Sequence, residues 1–164
     1  MEIIKAKNQH FKEIIQIYNW AIENTTSTFD TQLKTLEDFS PFLTSFKINP
    51  LLVIVDDQKS ILGWGCLKPY SDMKAYSETY EISLYIKEKN QGKGLGSLLM
   101  DALLQKANEL SIHTIISRVT TESSASIKLH EKFNFKTIGI MKEVGYKFGR
   151  RCDVAWMQLL LNNK

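Results

Sequence analysis

The stretch QGKGLGS, residues 91 to 97, packs three glycines into five positions between two very different patterns. Before it, ETYEISLYIKE alternates apolar and polar residues as a strand does; after it, LGSLLMDALLQKANEL carries helical periodicity. A strand that enters a helix in this way leaves the first helical N–H groups unpaired, aligned, and beside the positive end of the helix dipole. Without Cβ atoms at Gly92, Gly94 and Gly96, an anion can come up against that backbone, and Lys93 adds a positive charge. The segment is expected to cradle a phosphate; the alternative is that the glycines serve only a tight turn. Its spacing is neither the P-loop GxxxxGK followed by Ser or Thr nor the dinucleotide pattern GxGxxG.

The elements around this junction follow from periodicity. In the strand before it, Tyr80, Ile82, Leu84 and Ile86 share one face, and Glu81, Ser83 and Tyr85 the other. In the helix after it, Leu95, Leu98, Leu99, Ala102, Leu103, Ala107 and Leu110 form the apolar stripe. EIIKAK reads as a first strand. Asn8 is placed to cap a helix with apolar positions Phe11, Ile14, Ile15, Tyr18 and Ile22, ending near Asn24. A second helix starts at Thr35 or at Ser40, the latter with Pro41 in the first helical position. LLVIVDDQKSILGWGCLK reads as a hairpin, HTIISRV as a strand, SSASIKLHEKF as a short helix, and FKTIGIMKEVGYKFG with CDVAWMQLLL as two last strands. The order β-α-α-β-β-β-α-β-α-β-β is a mixed α/β layout.

Residues 1–164 are expected to form one domain, since a chain of 164 residues closes a single core and no linker or repeat divides it. With 43% hydrophobic and 24% charged residues the composition is that of a folded soluble protein, and no apolar run nears the ~20 residues of a membrane span. The N-terminus alternates apolar and polar residues without a signal pattern, which points to a cytoplasmic protein. Cys66 and Cys152 are expected to be buried and reduced, and three scattered histidines offer no metal-ligand cluster. A net charge of +3 is too small and too evenly spread for a nucleic-acid partner, yet suits a small anionic ligand.

Gln91, Gly94 and Gly96 match Q/R-x-x-G-x-G/A, and on this motif the chain resembles the GNAT superfamily of N-acetyltransferases. IYNWAIENTTSTFD, AYSETYEISLYI, ASIKLHEKFNF and EVGYKFGRRCDVAWMQL are similar to the phosphinothricin and methionine sulfoximine acetyltransferase branch, so the resemblance runs over nearly the whole chain. It implies a splayed mixed sheet of about seven strands flanked by helices, with acetyl-CoA in a V-shaped opening after the fourth strand. The pantetheine would pair with the backbone of Leu84, Tyr85 and Ile86. The pyrophosphate would lie on the amides of Gln91, Gly92, Lys93, Gly94, Leu95, Gly96 and Ser97. Ser123 stands where the branch carries an asparagine near the cofactor. A homodimer is also implied, with VAWMQLLL as a candidate contact.

Acetyl transfer from a thioester to an amine needs a neutral amine, a stabilised oxyanion and a proton for the thiolate. Glu81 faces away from the aliphatic side of its strand, where a partly desolvated carboxylate becomes a better base; a solvated strand glutamate is the alternative. The resemblance assigns the base to Glu81. His130 shares a stripe with Ile127 and Phe133, as a core histidine would. The resemblance makes it an acid or a partner of Glu81, directly or through water. The branch has arginines before the catalytic strand where this chain has Ser71, Met73 and Ser77, leaving Lys74 as the basic residue. Phe29, Lys74 and Tyr76 are candidates for the acceptor, Trp20 and Trp64 for acceptor pocket or core, and KFGRR for an anion or a partner. Asn134 replaces a glycine and is able to take its left-handed conformation. The expected activity is acetyl transfer to the primary amine of a small amino-acid-like or xenobiotic molecule. The alternatives are a protein N-terminus, a polyamine, or acyl-CoA binding without turnover.

Overall fold

The computed structural model describes residues 1–44 and 49–161. Its strands are β1 (Glu2–Lys5), β2 (Leu51–Val55), β3 (Ile61–Pro69), β4 (Thr79–Ile86), β5 (Thr114–Thr120), β6 (Lys136–Lys147) and β7 (Arg150–Leu160). Its α-helices are α1 (Phe11–Asn24), α2 (Leu36–Thr44), α3 (Leu95–Glu109) and α4 (Ser124–Lys132), in the order the periodicities predict. The strands form one mixed sheet ordered β1-β2-β3-β4-β5-β7-β6. All neighbours are antiparallel except β4 and β5, whose parallel pairing needs the crossover that α3 makes.

The register sets the shape of the site. β3 and β4 pair along their length, from Pro69 opposite Tyr80 to Gly63 opposite Ile86. β4 meets β5 only at Thr79–Thr114, Tyr80–Ile115 and Glu81–Ile116. Past Glu81, β4 stays with β3 while β5 stays with β7, whose pairing runs to Thr120 opposite Val154. The sheet therefore splits, with Glu81 at the point of the V.

Each sheet face carries its own core. One side buries Ile82, Leu99, Met100, Leu103, Ile115 and Met157 beneath α3 and α4. The other buries Ile14, Ile15, Val53, Ile61, Trp64 and Cys66 beneath α1 and α2, where Trp64 stacks on Tyr85 at 4.7 Å. The α3 stripe differs from its sequence reading: Leu98 and Leu110 are exposed, whereas Met100 is fully buried. The face that reaches the sheet is centred on Leu99 and Leu103 and leans toward Met100.

Two helix starts are settled by hydrogen bonds. Asn8 lies inside a single 3-10 turn, Asn8–His10, closed by His10 Nδ1 accepting the Lys7 N–H at 3.0 Å, and His10 takes the N-cap position of α1 without a side-chain cap bond. Thr35, not Ser40, starts α2: its Oγ1 accepts the Asp38 N–H at 3.1 Å and Asp38 Oδ2 accepts the Thr35 N–H at 3.0 Å. Pro41 consequently falls inside the helix. The C-terminal strand expected as an outer contact is interior, since β7 is paired on both sides and β6 forms the edge. Phe148 and Gly149, both at positive φ, make the two-residue turn between them. No helix among the described residues is long and apolar enough to cross a membrane.

Candidate active site

The split sheet opens into a cleft of about 1670 Å³ reached by both arms of the V, by the glycine segment and by the loop after α1. Along one wall the β5-facing edge of β4 has no strand partner beyond Glu81, an edge able to accept an extended ligand as an added strand. Leu84, Tyr85 and Ile86 lie there. The Tyr85 ring is turned into the α1-side core, so only its backbone is available on this edge.

At the mouth, Gly92 and Gly94 take φ of 73° and 81°, the left-handed region that glycine enters without cost. Space beside both is open, and Gly94 caps α3. Among the described residues the N–H groups of Lys93, Gly94, Leu95 and Gly96 donate to nothing, while Ser97 N–H returns to the Gly94 carbonyl. Unpaired amides grouped at a helix start in this way are able to take an anion. The side chains of this segment are used otherwise than expected. Gln91 Nε2 donates to the Ile86 carbonyl at 3.1 Å and pins the turn to the end of β4. Lys93 Nζ turns away to the Lys89 carbonyl at 2.8 Å, outside the cleft wall. The Leu95 side chain is buried, leaving its amide to the cradle. The cation beside the helix start is Lys132, whose Nζ donates to Ser97 Oγ at 3.2 Å. Ser123 precedes α4 at the cleft wall, its side chain making no cap bond.

At the point of the V, Glu81 is largely buried, as the desolvated reading expects, and is held by two cations. Arg118 donates to Oε1 through Nε at 2.7 Å and lies 2.6 Å away through Nη2, and Lys68 Nζ is 3.2 Å from Oε2. β-sheet register explains this: Lys68 is opposite Glu81 on β3, and Arg118 follows the residue opposite it on β5 by two, on the same face.

His130 comes from α4 on the other side of the sheet. It is buried, edge-on to Phe135 at 5.0 Å, and its Nδ1 lies 2.8 Å from the Ser126 carbonyl. A carbonyl only accepts, so Nδ1 carries the hydrogen and Nε2 keeps its lone pair. Among the described residues Nε2 has no hydrogen-bond partner, and burial holds the ring below its ordinary value of 6.5. His130 is thus a neutral acceptor in the resting site, not a ready acid, and no hydrogen bond joins it directly to Glu81.

An acetyltransferase (GNAT) domain model matches residues 3–156. The chain belongs to the GNAT acetyltransferase family. It is 33% identical over 162 residues, 96% of this chain and 95% of the other, to phosphinothricin N-acetyltransferase of Streptomyces coelicolor. It is 33% identical to L-methionine sulfoximine/L-methionine sulfone acetyltransferase of Pseudomonas aeruginosa, covering 91% and 88% of the two chains. Among solved structures, the phosphinothricin acetyltransferase of Sinorhizobium meliloti in complex with acetyl-CoA superposes with a TM-score of 0.94 at 25% identity, over 98% and 88% of the two chains.

In this GNAT chain the loop after α1 lines the cleft, and Lys147 of the KFGRR segment holds it, while Arg150 and Arg151 pair with carboxylates elsewhere. The buried Lys147 Nζ donates to the carbonyls of Thr25 and Thr28, both at 2.7 Å. Arg150 pairs with both oxygens of Glu122, and Arg151 with Glu143 at 3.2 Å. Tyr18 hydroxyl donates to Asp30 at 2.7 Å, and burial pushes that phenol up to about 12. Phe29 reaches the cleft wall against Gly145, where a Cβ would collide with its ring. Trp20 also lines the cleft, whereas Trp64 belongs mainly to the core. Lys74 and Tyr76 are not at the wall: they sit on an exposed 3-10 turn, Tyr76 against Tyr70 and Tyr70 against Trp156. Sequence reasoning missed Lys68, Arg118 and Lys132, each a lone basic residue on a strand or helix. The period of two that puts Lys68 and Arg118 on the face of Glu81 was the available signal.

Proposed function

We propose that residues 1–164 act as one cytoplasmic acetyl-CoA-dependent N-acetyltransferase domain that acetylates the primary amine of a small amino-acid-like or xenobiotic molecule. The observation that carries the reading is the pairing that stops at Glu81. It gives a free strand edge leading from a cradle of unpaired amides to a carboxylate, which is the layout needed to hold a long phosphorylated thioester beside a base. Acetyl-CoA supplies the activated carbonyl. The Lys93–Gly96 amides with Lys132 would hold its pyrophosphate, and the Leu84–Ile86 edge its pantetheine arm.

Glu81 would take the ammonium proton so that the neutral amine attacks, and N–H donors of the β4 edge would face the oxyanion. His130 Nε2 would accept the second amine proton, through water, and return it to the departing thiolate, so that protons balance. The small-acceptor reading is supported by the two relatives named above and by the loop pinned over the cleft by Lys147. A polyamine would need an acidic wall, but three of the four carboxylates there, Asp30, Glu81 and Glu122, are each paired with Lys or Arg. Two free, buried cysteines suit a reducing cytoplasm.

The test is release of free CoA from acetyl-CoA with a panel of amines that includes acidic amino-acid analogues, a peptide N-terminus and spermidine. Turnover with the amino-acid analogues is expected. Turnover confined to the peptide moves the assignment to protein N-termini, and tight acetyl-CoA binding with no turnover on any amine makes the protein a sensor.

A further inference from the structure

The cluster at the point of the V holds two cations for one anion. Glu81 has both oxygens engaged, while Arg118 is 49% exposed at its side chain, lines the cleft, and makes no bond through Nη1 among the described residues. Its guanidinium lies over the Trp156 ring, 5.8 Å from the centroid, which fixes the plane of the donor fork. Lys68, on the opposite strand, keeps a hold on Glu81 Oε2 if Arg118 lets go.

This positive excess is not placed for the cofactor's phosphates. The cradle starts beyond Ile86, five residues from Glu81, about 17 Å along a strand at ~3.3 Å per residue. Nor is it taken up by the other carboxylates of the wall. Asp30 is engaged by Lys34 and Tyr18, Glu122 by Arg150, and Asp38 by Thr35. Where the attacking amine must arrive, the protein therefore presents an arginine that already holds a carboxylate and is geometrically able to hold another.

Resting on the acetyl transfer proposed above, we propose that Arg118 is the carboxylate receptor of the acceptor. An α-amino acid places its carboxylate on the Arg118 fork, Arg118 leaves Glu81 Oε1, and Glu81, retained by Lys68, turns to the amine one carbon away. The acceptor class is then an amine with a carboxylate on the adjacent carbon. The same event that binds it frees the base. A plain amine leaves Glu81 locked between two cations, so discrimination comes from unlocking as well as from binding.

The experiment compares L-methionine sulfone with its α-carboxamide, a neutral isostere, as kcat/KM in the wild type, R118M and R118K. Wild type is expected to favour the carboxylate by about 10², the scale of a lost charge-assisted pair. R118M is expected to bring the two acceptors within a few-fold, and R118K to restore part of the preference. A wild type that acetylates both equally overturns the inference and leaves the acetyltransferase reading standing, a result that needs no variant to fold. A Met variant that slows both acceptors in the same proportion also overturns it, because Arg118 would then only position Glu81. Failure to acetylate any amine overturns both.

Discussion

Glu81 at the point of the V and His130 on α4 both line the cleft, and their chemistry is set by different neighbours. Glu81 is held by cations, and His130 is kept neutral by burial with its hydrogen committed to Ser126. Glu81→Gln and His130→Ala are each expected to lower kcat by about 10², with acetyl-CoA affinity by calorimetry within a few-fold. The same burial couples His130 and His10 to stability. Both rings titrate below 6.5 in the folded protein, so the unfolded chain takes up protons first as the pH falls. Stability is expected to be level above about pH 6.5 and to drop progressively below it, read as denaturation midpoints in urea between pH 5 and 8. His130→Gln should make that slope shallower. Glu81 and His130, both of which line the cleft, were singled out in the sequence, the first by strand parity and both by resemblance. Their hydrogen-bond and ion-pair partners were not, because Lys68, Arg118 and the Ser126 carbonyl reach them through strand register and helix geometry.

Two elements decide whether the cleft works, the glycine turn into α3 and the loop after α1. Gly94 sits at φ 81° with open space beside it, so Gly94→Val meets no clash but a left-handed strain of about 1–2 kcal/mol. Relief of that strain would rotate the cradle amides. At least tenfold weaker acetyl-CoA binding by calorimetry is expected, with native circular dichroism. Lys147 is the counterpart for the loop, a buried ammonium spanning from β6 to the carbonyls of Thr25 and Thr28. Lys147→Met leaves two carbonyls without their charged donor, and should raise KM for the acceptor more than for acetyl-CoA in steady-state kinetics. Helix and strand order was readable from periods of 3.6 and 2, and Asn134 does take positive φ in place of the usual glycine. The roles of Lys93 and KFGRR were not readable, since a basic residue on a sequence says nothing of which carbonyl or carboxylate it will meet.

At the scale of the whole molecule the edge strand β6 carries Ile138, Ile140, Val144 and Tyr146, all exposed, while β7 is closed on both sides. A homodimer would therefore meet through β6. Light scattering is expected to give about twice 18.9 kDa, and Ile140→Glu with Val144→Glu to halve that mass while circular dichroism stays native. The sequence by itself determined the element order, the glycine junction between β4 and α3 and the family, because local periodicity and backbone freedom act between residues close along the chain. Only the tertiary structure decided where β4 leaves β5, which cations lock Glu81, which way His130 bears its hydrogen and which strand forms the edge. The parting of β4 from β5, the cations on Glu81 and the edge strand all depend on strand register, as in Glu81 with Arg118 37 residues on, while the His130 hydrogen depends on a carbonyl one helical turn back, at Ser126.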